Sequence, residues 1–430
     1  MPEVTRTFQG PTELRSVSNI GIVRHSARVG LGYTAPFLTT EGILQMKFGV
    51  FIAPVHPLGE NPTLQIRRDL DLVDHVDRLG FKEAWYGEHH SGGLEIVACP
   101  ELMIAAAAER TKHVRLGTGV CTLPYHNPFL LADRIVQLDH QTMGRLIFGV
   151  GAGALAYDAH MIGVDHDSIR HRVEQSLSVI SRLFAGESVT EKTDWYDLRD
   201  ARLQLLPYQS SIELALTAVN TTAGPRTAGQ FGAGLLSIAA TTTKGFEALP
   251  STWETCAFAA AAAGKSVSRE SWRLVGPVHI AETREAARRN VRFGLQEWLN
   301  YFTKVGTLPL AVNGDGDIDS EIDYLIETGL AVIGTPDDMV AQLERLQKHS
   351  GGFGCFLDMA HDWADVAETR RSYELIARYV VPRFNNQLGP RQHANSWAKS
   401  KHTEFAELRR QAAANVPAIP GNAAASAGRR

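Results

Sequence analysis

Cysteine is scarce in this chain. Its 430 residues include only Cys99, Cys121, Cys256 and Cys355. They stand far apart and never form CxxC. That argues against a disulfide framework and against paired zinc-ribbon ligands, and it fits a reducing, cytoplasmic setting. No HExxH and no Asp/Cys/His set of ligand spacing completes a metal site. An excess of one charge is also missing: 43 Lys and Arg face 47 Asp and Glu, a formal net charge of -4. Neither nucleic acid nor an anionic membrane is called for as a partner. No apolar run is long enough to span a bilayer, and the Ala-rich stretch from Ala257 stops at Gly264. The first residues lack a compact apolar segment behind a basic start, so they do not read as a signal peptide.

What the chain does have is alternation. The first strong strand signal is MKFGVFIAP, opening at Met46. Residues 1–45 read as a poorly ordered N-terminal extension, or as the product of an upstream start codon. Residues 386–430 read as a low-complexity C-terminal tail, ending in AAANVPAIPGNAAASAGRR. Between them, in 46–385, apolar runs such as KFGVFI, FKEAWY, HVRLGTGVCTL, GRLIFGVG and SIELALTA read as strands. Helical patterns separate them. One covers 64–79 and stops at Gly80; another runs DSIRHRVEQSLSVISRLFAG, with Asp167 or Ser168 as N-cap and Gly186 as C-cap. TREAARRNVRFGLQEWLNYF reads as one long helix. About eight such units, with strands apolar on both faces, predict an α/β fold of the (β/α)8 barrel type; the competing architecture is an open doubly wound sheet. Two irregular stretches, 191–210 and 306–324, are expected as lids over the C-terminal face.

Polar and glycine-rich motifs sit where strands end. GVGAGA (149–154) fits the G-x-G-x-x-G/A spacing through Gly149, Gly151 and Ala154. No helix starts within it, however, and the next strand comes only near residue 212. That weighs against a dinucleotide site and for a glycine-rich loop whose bare backbone can approach a flat ligand or a phosphate. In GTGVCTLPYHNP, Gly117 and Gly119 leave space either for something large against the backbone or for a bulge at the rim. In LTAVNTTAGP, Asn220, Thr221 or Thr222 can cap a helix whose N–H groups would receive an anion. In WYGEHHSGG, Glu88, His89 and His90 alternate in direction along the chain, which makes a shared metal ion difficult. One His at the C-terminal end of a barrel strand suits an acid/base or a hydrogen-bond donor.

Taken in order, MKFGVF, GFKEAWYGEHH, LGTGVCTLPYHNP, DHQTMGRLIFGVGAG, TTAGPRTAGQFG and GTPDDMVAQLERL…GGFGCFLDMA resemble the bacterial luciferase-like flavin monooxygenases, over 46–384. The limonene 1,2-monooxygenase-like branch is the nearest in pattern. The resemblance implies a (β/α)8 barrel that takes reduced FMN (FMNH2) at the C-terminal ends of its strands. It also implies reaction with O2 through a C4a-hydroperoxyflavin to oxygenate a small apolar, limonene-like substrate. It implies that His89 is the acid/base beside the isoalloxazine, that Glu88 touches the flavin region, and that Thr118, Gly119 and Val120 lie under the ring with a cis peptide between the last two. Thr217, Ala218, Asn220, Thr221 and Thr222 would hold the ring edge and phosphate. Where luciferases carry a phosphate-binding Arg, this chain has Ala152. The phosphate would then rest on Gly151, Gly153 and Tyr157, with weaker flavin binding. That suits an enzyme borrowing FMNH2 from a separate NAD(P)H:flavin reductase, and a homo-oligomer is implied as well. The alternatives are a deazaflavin (F420) hydride-transfer enzyme, a non-catalytic flavin-binding relative and, more distantly, a metal-dependent hydrolase on a barrel.

Overall fold

Strand and helix alternate as the apolar pattern requires, and the strands close into a barrel. The structure, a computed structural model, describes residues 45–53, 55–219, 221–306 and 316–415. The expected N-terminal extension lies outside them except for Gln45, as does most of the 306–324 stretch. The barrel strands are β1 (Lys47–Ile52), β2 (Glu83–Tyr86), β3 (Arg115–Thr118), β4 (Leu146–Gly151), β5 (Glu213–Ala218), β6 (Gly234–Ser237), β7 (Trp272–Gly276) and β8 (Cys355–Met359). All pair in parallel in the order 3-2-1-8-7-6-5-4, and β3 pairs β4 to complete the ring. The open-sheet alternative is excluded by that closure.

Side-chain alternation divides each strand between two cores. Phe48, Val50 and Ile52 of β1 pack outward with Val73 and Val76 of the first helix, Pro62–Leu79. Phe51, Trp85, Ile147, Val275 and Leu357 fill the inside. Both faces are dry, so the strands run apolar without a polar side. Two of the covering helices start alike. Asn61 and Asn127 each stand before a proline, and each side-chain oxygen accepts from the next two free backbone N–H groups. The proline fixes the first turn and the asparagine satisfies its donors.

Three expectations are corrected. TREAARRNVRFGLQEWLNYF is two helices, Arg284–Val291 and Leu295–Lys304, broken at Gly294. That glycine is pressed against the Asp362 carbonyl, where no side chain fits. The helix Ile169–Phe184 has no side-chain N-cap at Ser168; its hydroxyl instead donates to the Asp165 carbonyl. Residues 191–210 are not a lid. They hold a hairpin of Val189–Lys192 and Asp197–Ala201, then run to the start of β5. Gln209 donates to Asp139 and to the carbonyl of Leu146, the first residue of β4. This connector therefore closes the N-terminal rim. The tail also holds two exposed helices, Leu388–Ser400 and His402–Ala414.

The inside of the barrel is stacked in layers. At the N-terminal end Arg273 donates twice to Glu83, 2.9 Å on each arm, and pairs with Glu213 at 2.7 Å. Arg115 completes the set on Glu213. The Trp85 indole N–H donates to Glu83 at 3.0 Å, so the next layer is tied to this one. The Trp85 ring fills the space that Gly117 and Gly149 leave: a Cβ on Gly149 would lie 2.7 Å from it. A Cβ on Gly119 would lie 2.8 Å from the Phe51 ring. The glycines of GTGV thus make room for the barrel's own aromatic rings.

Candidate functional site

Above Trp85 and Phe51 the packing opens. Trp85 is wholly buried, whereas Val120 and Thr217, one layer higher, are part-exposed. Gly151 lies against both: a Cβ there would meet Val120 at 2.7 Å and the Thr217 hydroxyl at 3.0 Å. The peptide between Gly119 and Val120 is cis, as the resemblance implies. The C-terminal mouth is therefore a shallow ring of small residues above a sealed aromatic floor. Beside it the helix Ala223–Phe231 begins at Thr222, and among the described residues no side chain caps its first N–H groups. Gly224 packs against the Thr217 carbonyl and brings that helix end onto the tip of β5.

The loop after β2 carries the charge. His89 sits between two carboxylates: Nε2 is 2.7 Å from Glu95, and Nδ1 is 3.4 Å from Asp158. Burial lowers the pKa of His89, but Glu95 and Asp158 outweigh it and bring it up to about 10. The ring is thus held protonated, with both nitrogens donating. Asp158 also accepts from the His90 backbone N–H at 3.2 Å and from the Ser91 hydroxyl. Glu88 lies beneath this loop, its side chain 1% exposed. It accepts from His126 at 2.8 Å, from His90 at 3.1 Å and from the Thr122 N–H at 2.8 Å. Burial raises its pKa, and these donors outweigh it, bringing it down to about 2.

A similar clamp stands on the neighbouring loop. His56, after β1, is 2.8 Å from Asp362 and 3.1 Å from Asp69. Burial works against its protonation, and the two carboxylates bring its pKa up to about 9. The two loops are joined by backbone: Val55 bridges Glu95, and the His56 N–H donates to the Leu94 carbonyl.

The residues singled out in the sequence fall into three groups. Gly119, Val120, Gly151 and Thr217 ring the mouth; Ala152 is half-buried, and Gly153, Tyr157, Thr221 and Thr222 are exposed. Thr118, Ala218 and Glu88 turn away. The Thr118 hydroxyl is spent on the backbone of Gly149, Ala218 packs in the outer core, and Glu88 is used up by protein partners. Strand alternation turns Ala218 outward when Thr217 faces in. Asn220 lies outside the described residues. Glu95, Asp158 and His126 are additions that sequence reasoning missed. Asp158 lies 69 residues from its histidine, and no short motif carries such a pair. Among the described residues, no three His, Cys, Asp or Glu side chains are grouped so as to hold a metal ion. No helix among them is long and apolar enough to cross a membrane.

The profile of the luciferase-like monooxygenases matches residues 46–352. Limonene 1,2-monooxygenase of Rhodococcus erythropolis is 47% identical over 369 residues, covering 86% of this chain and 94% of that protein. 4-Hydroxyprotoasukamycin monooxygenase of Streptomyces nodosus subsp. asukaensis is 43% identical over 349 residues, covering 80% and 94%. Among solved structures, the oxygenating constituent of 3,6-diketocamphane monooxygenase of Pseudomonas putida, a type II Baeyer-Villiger monooxygenase in complex with FMN, superposes with a TM-score of 0.67 at 25% identity. That match covers 78% of this chain and 98% of that one.

Proposed function

The chain belongs to the luciferase-like monooxygenase family, and from that premise we propose that it is the oxygenase of a two-component system, using reduced FMN and O2 to oxygenate a small apolar, limonene-like substrate. The observation that carries this reading is the ring of Gly119, Val120, Gly151 and Thr217, part-open above a floor sealed by Trp85 and Phe51. A flat ring suits the small residues. A phosphate suits the open helix start at Thr221 and Thr222, with Gly151, Gly153 and Tyr157 nearby. Ala152 adds no charge there. That favours a flavin taken up reduced and released, and a separate NAD(P)H:flavin reductase to supply it. The camphane relative is the oxygenating constituent of its enzyme, which supports the same division of labour.

Reduced FMN, when bound, supplies the electrons that activate O2. The chain's own part is to seat the ring, keep water out and hold a proton. Trp85 and Phe51 close the barrel from below, so water can reach the mouth only from the rim. His89 holds a proton at the rim, kept there by Glu95 and Asp158. Glu88, with His90 and His126, fixes the loop on which His89 stands.

The test is anaerobic titration of the purified protein with FMN, FMNH2 and F420, followed by turnover of limonene under ¹⁸O₂. Tightest binding of FMNH2 and one labelled oxygen in the product are expected. Preference for F420, with product formed in the absence of O2, would replace this reading with hydride transfer.

A further inference from the structure

The two carboxylates around His89 do not hold it equally. Glu95 takes Nε2 at 2.7 Å; Asp158 takes Nδ1 at 3.4 Å, the outer edge of a hydrogen bond. Their own surroundings differ in the same sense. Asp158 keeps two further donors, the Ser91 hydroxyl and the His90 N–H, so it stays satisfied when His89 lets go. Glu95, its side chain 5% exposed, has the phenol of Tyr301 beside it from the helix Leu295–Lys304. A buried carboxylate that loses its charged partner is costly, so the Nε2 contact is the one that persists. The Glu95 backbone is itself pinned by the bridge to Val55.

We infer that Glu95 is the positioning residue of this site: it fixes the His89 ring by Nε2 and leaves Nδ1 as the working nitrogen, with Asp158 as its resting partner. The inference rests on the reading of His89 as the acid/base of the proposed reaction. The titratable groups facing His89 are Glu95 on its own loop, Asp158 from the helix Ala156–Ile162, the adjacent His90, and Tyr301 beyond Glu95. Together the carboxylates raise the affinity of His89 for its proton against the effect of burial, and Glu95 makes the largest single charge contribution.

The experiment uses the full-length protein without flavin, ¹⁵N-labelled at histidine, so that NMR reads the ring nitrogens independently of turnover. Glu95→Gln is expected to lower the His89 midpoint by about 1–3 pH units. Asp158→Asn should lower it by less than half as much, and Glu95→Asp should fall between wild type and Glu95→Gln. In turnover with FMNH2, Glu95→Gln should reduce kcat about tenfold or more with little change in KM. Its pH profile should move with the NMR midpoint. An equal or larger shift in Asp158→Asn, or an unmoved midpoint in Glu95→Gln, overturns the assignment even where monooxygenase turnover is established. A protein that binds no flavin but shows the unequal shifts overturns the function and supports the clamp.

Discussion

At the N-terminal end of the barrel, Arg273, Glu83, Glu213 and Arg115 neutralise one another through guanidinium–carboxylate pairs. At the C-terminal end most of the partners are imidazoles: His89 between Glu95 and Asp158, His90 and His126 on Glu88, and His56 between Asp69 and Asp362, where the Arg68 guanidinium also pairs with Asp362 at 2.6 Å. In the lower set the Arg273 and Glu83 side chains are 1% and 2% exposed, while Glu213 and Arg115 at its edge are 26% and 30% exposed; above, His56 is 5% and His89, His90 and His126 are 18–27% exposed. One fold thus holds buried charge in two chemistries. The lower end uses guanidinium–carboxylate pairs alone. The upper end adds imidazoles, the side chains suited to a site of proton transfer.

The largest effect expected from breaking this contrast is at the lower end, in its buried Arg273–Glu83 pair. Arg273→Met leaves Glu83 buried without its guanidinium and should cost about 3–5 kcal/mol in urea denaturation. Adding Glu83→Gln should recover part of the loss. A single-variant loss below about 1 kcal/mol would show that the Arg273–Glu83 pair is not shut off from water as described.

Next comes His89→Ala. Turnover with FMNH2 should fall on the order of 10²-fold, while the urea midpoint moves far less than in Arg273→Met. A large stability loss with activity per folded molecule retained would reverse the roles assigned to the two ends.

The pH dependence of stability sharpens the contrast further. His89 and His56 have folded pKa values of about 10 and about 9, above their unfolded value of 6.5. Their contribution is fully present below pH 6.5 and is lost as pH rises through 9 to 10. A loss on the order of 1–3 kcal/mol is expected over that window, and a His56→Gln, His89→Gln double variant should flatten it. Glu88 above and Glu213 below both have pKa values of about 2, depressed from 4.5. Their contributions are present above pH 4.5 and lost as pH falls toward 2, so acid should loosen both ends together. An alkaline loss that the double variant leaves untouched would break the comparison. The smallest effect is at the phosphate corner, where Ala152→Arg should tighten FMN by about 1–2 kcal/mol, roughly tenfold, in equilibrium titration.

The strands were legible because burial on both faces leaves an unbroken apolar run, as in GRLIFGVG. The mouth was legible where a residue type carries its own geometry, as with Gly119, Gly151 and the Thr221–Thr222 helix start. Gly117 was ambiguous because an empty Cβ position looks the same in sequence whether a ligand or the Trp85 ring occupies it. The placement of 191–210 was readable in principle: the stretch follows a helix and precedes a strand, and in a barrel such connectors belong to the N-terminal rim. Glu95 and Asp158 were not readable, since their meeting at His89 depends on how two loops from different strands fold over one rim.

Trp85, Gly117 and Gly149 occupy one volume from three strands. A methyl group added at either glycine displaces the indole, and a smaller residue at 85 leaves a void of matching shape. These three positions are therefore free to vary only as a set, and a deeper cup, able to admit a bulkier guest molecule, begins with the replacement of one tryptophan.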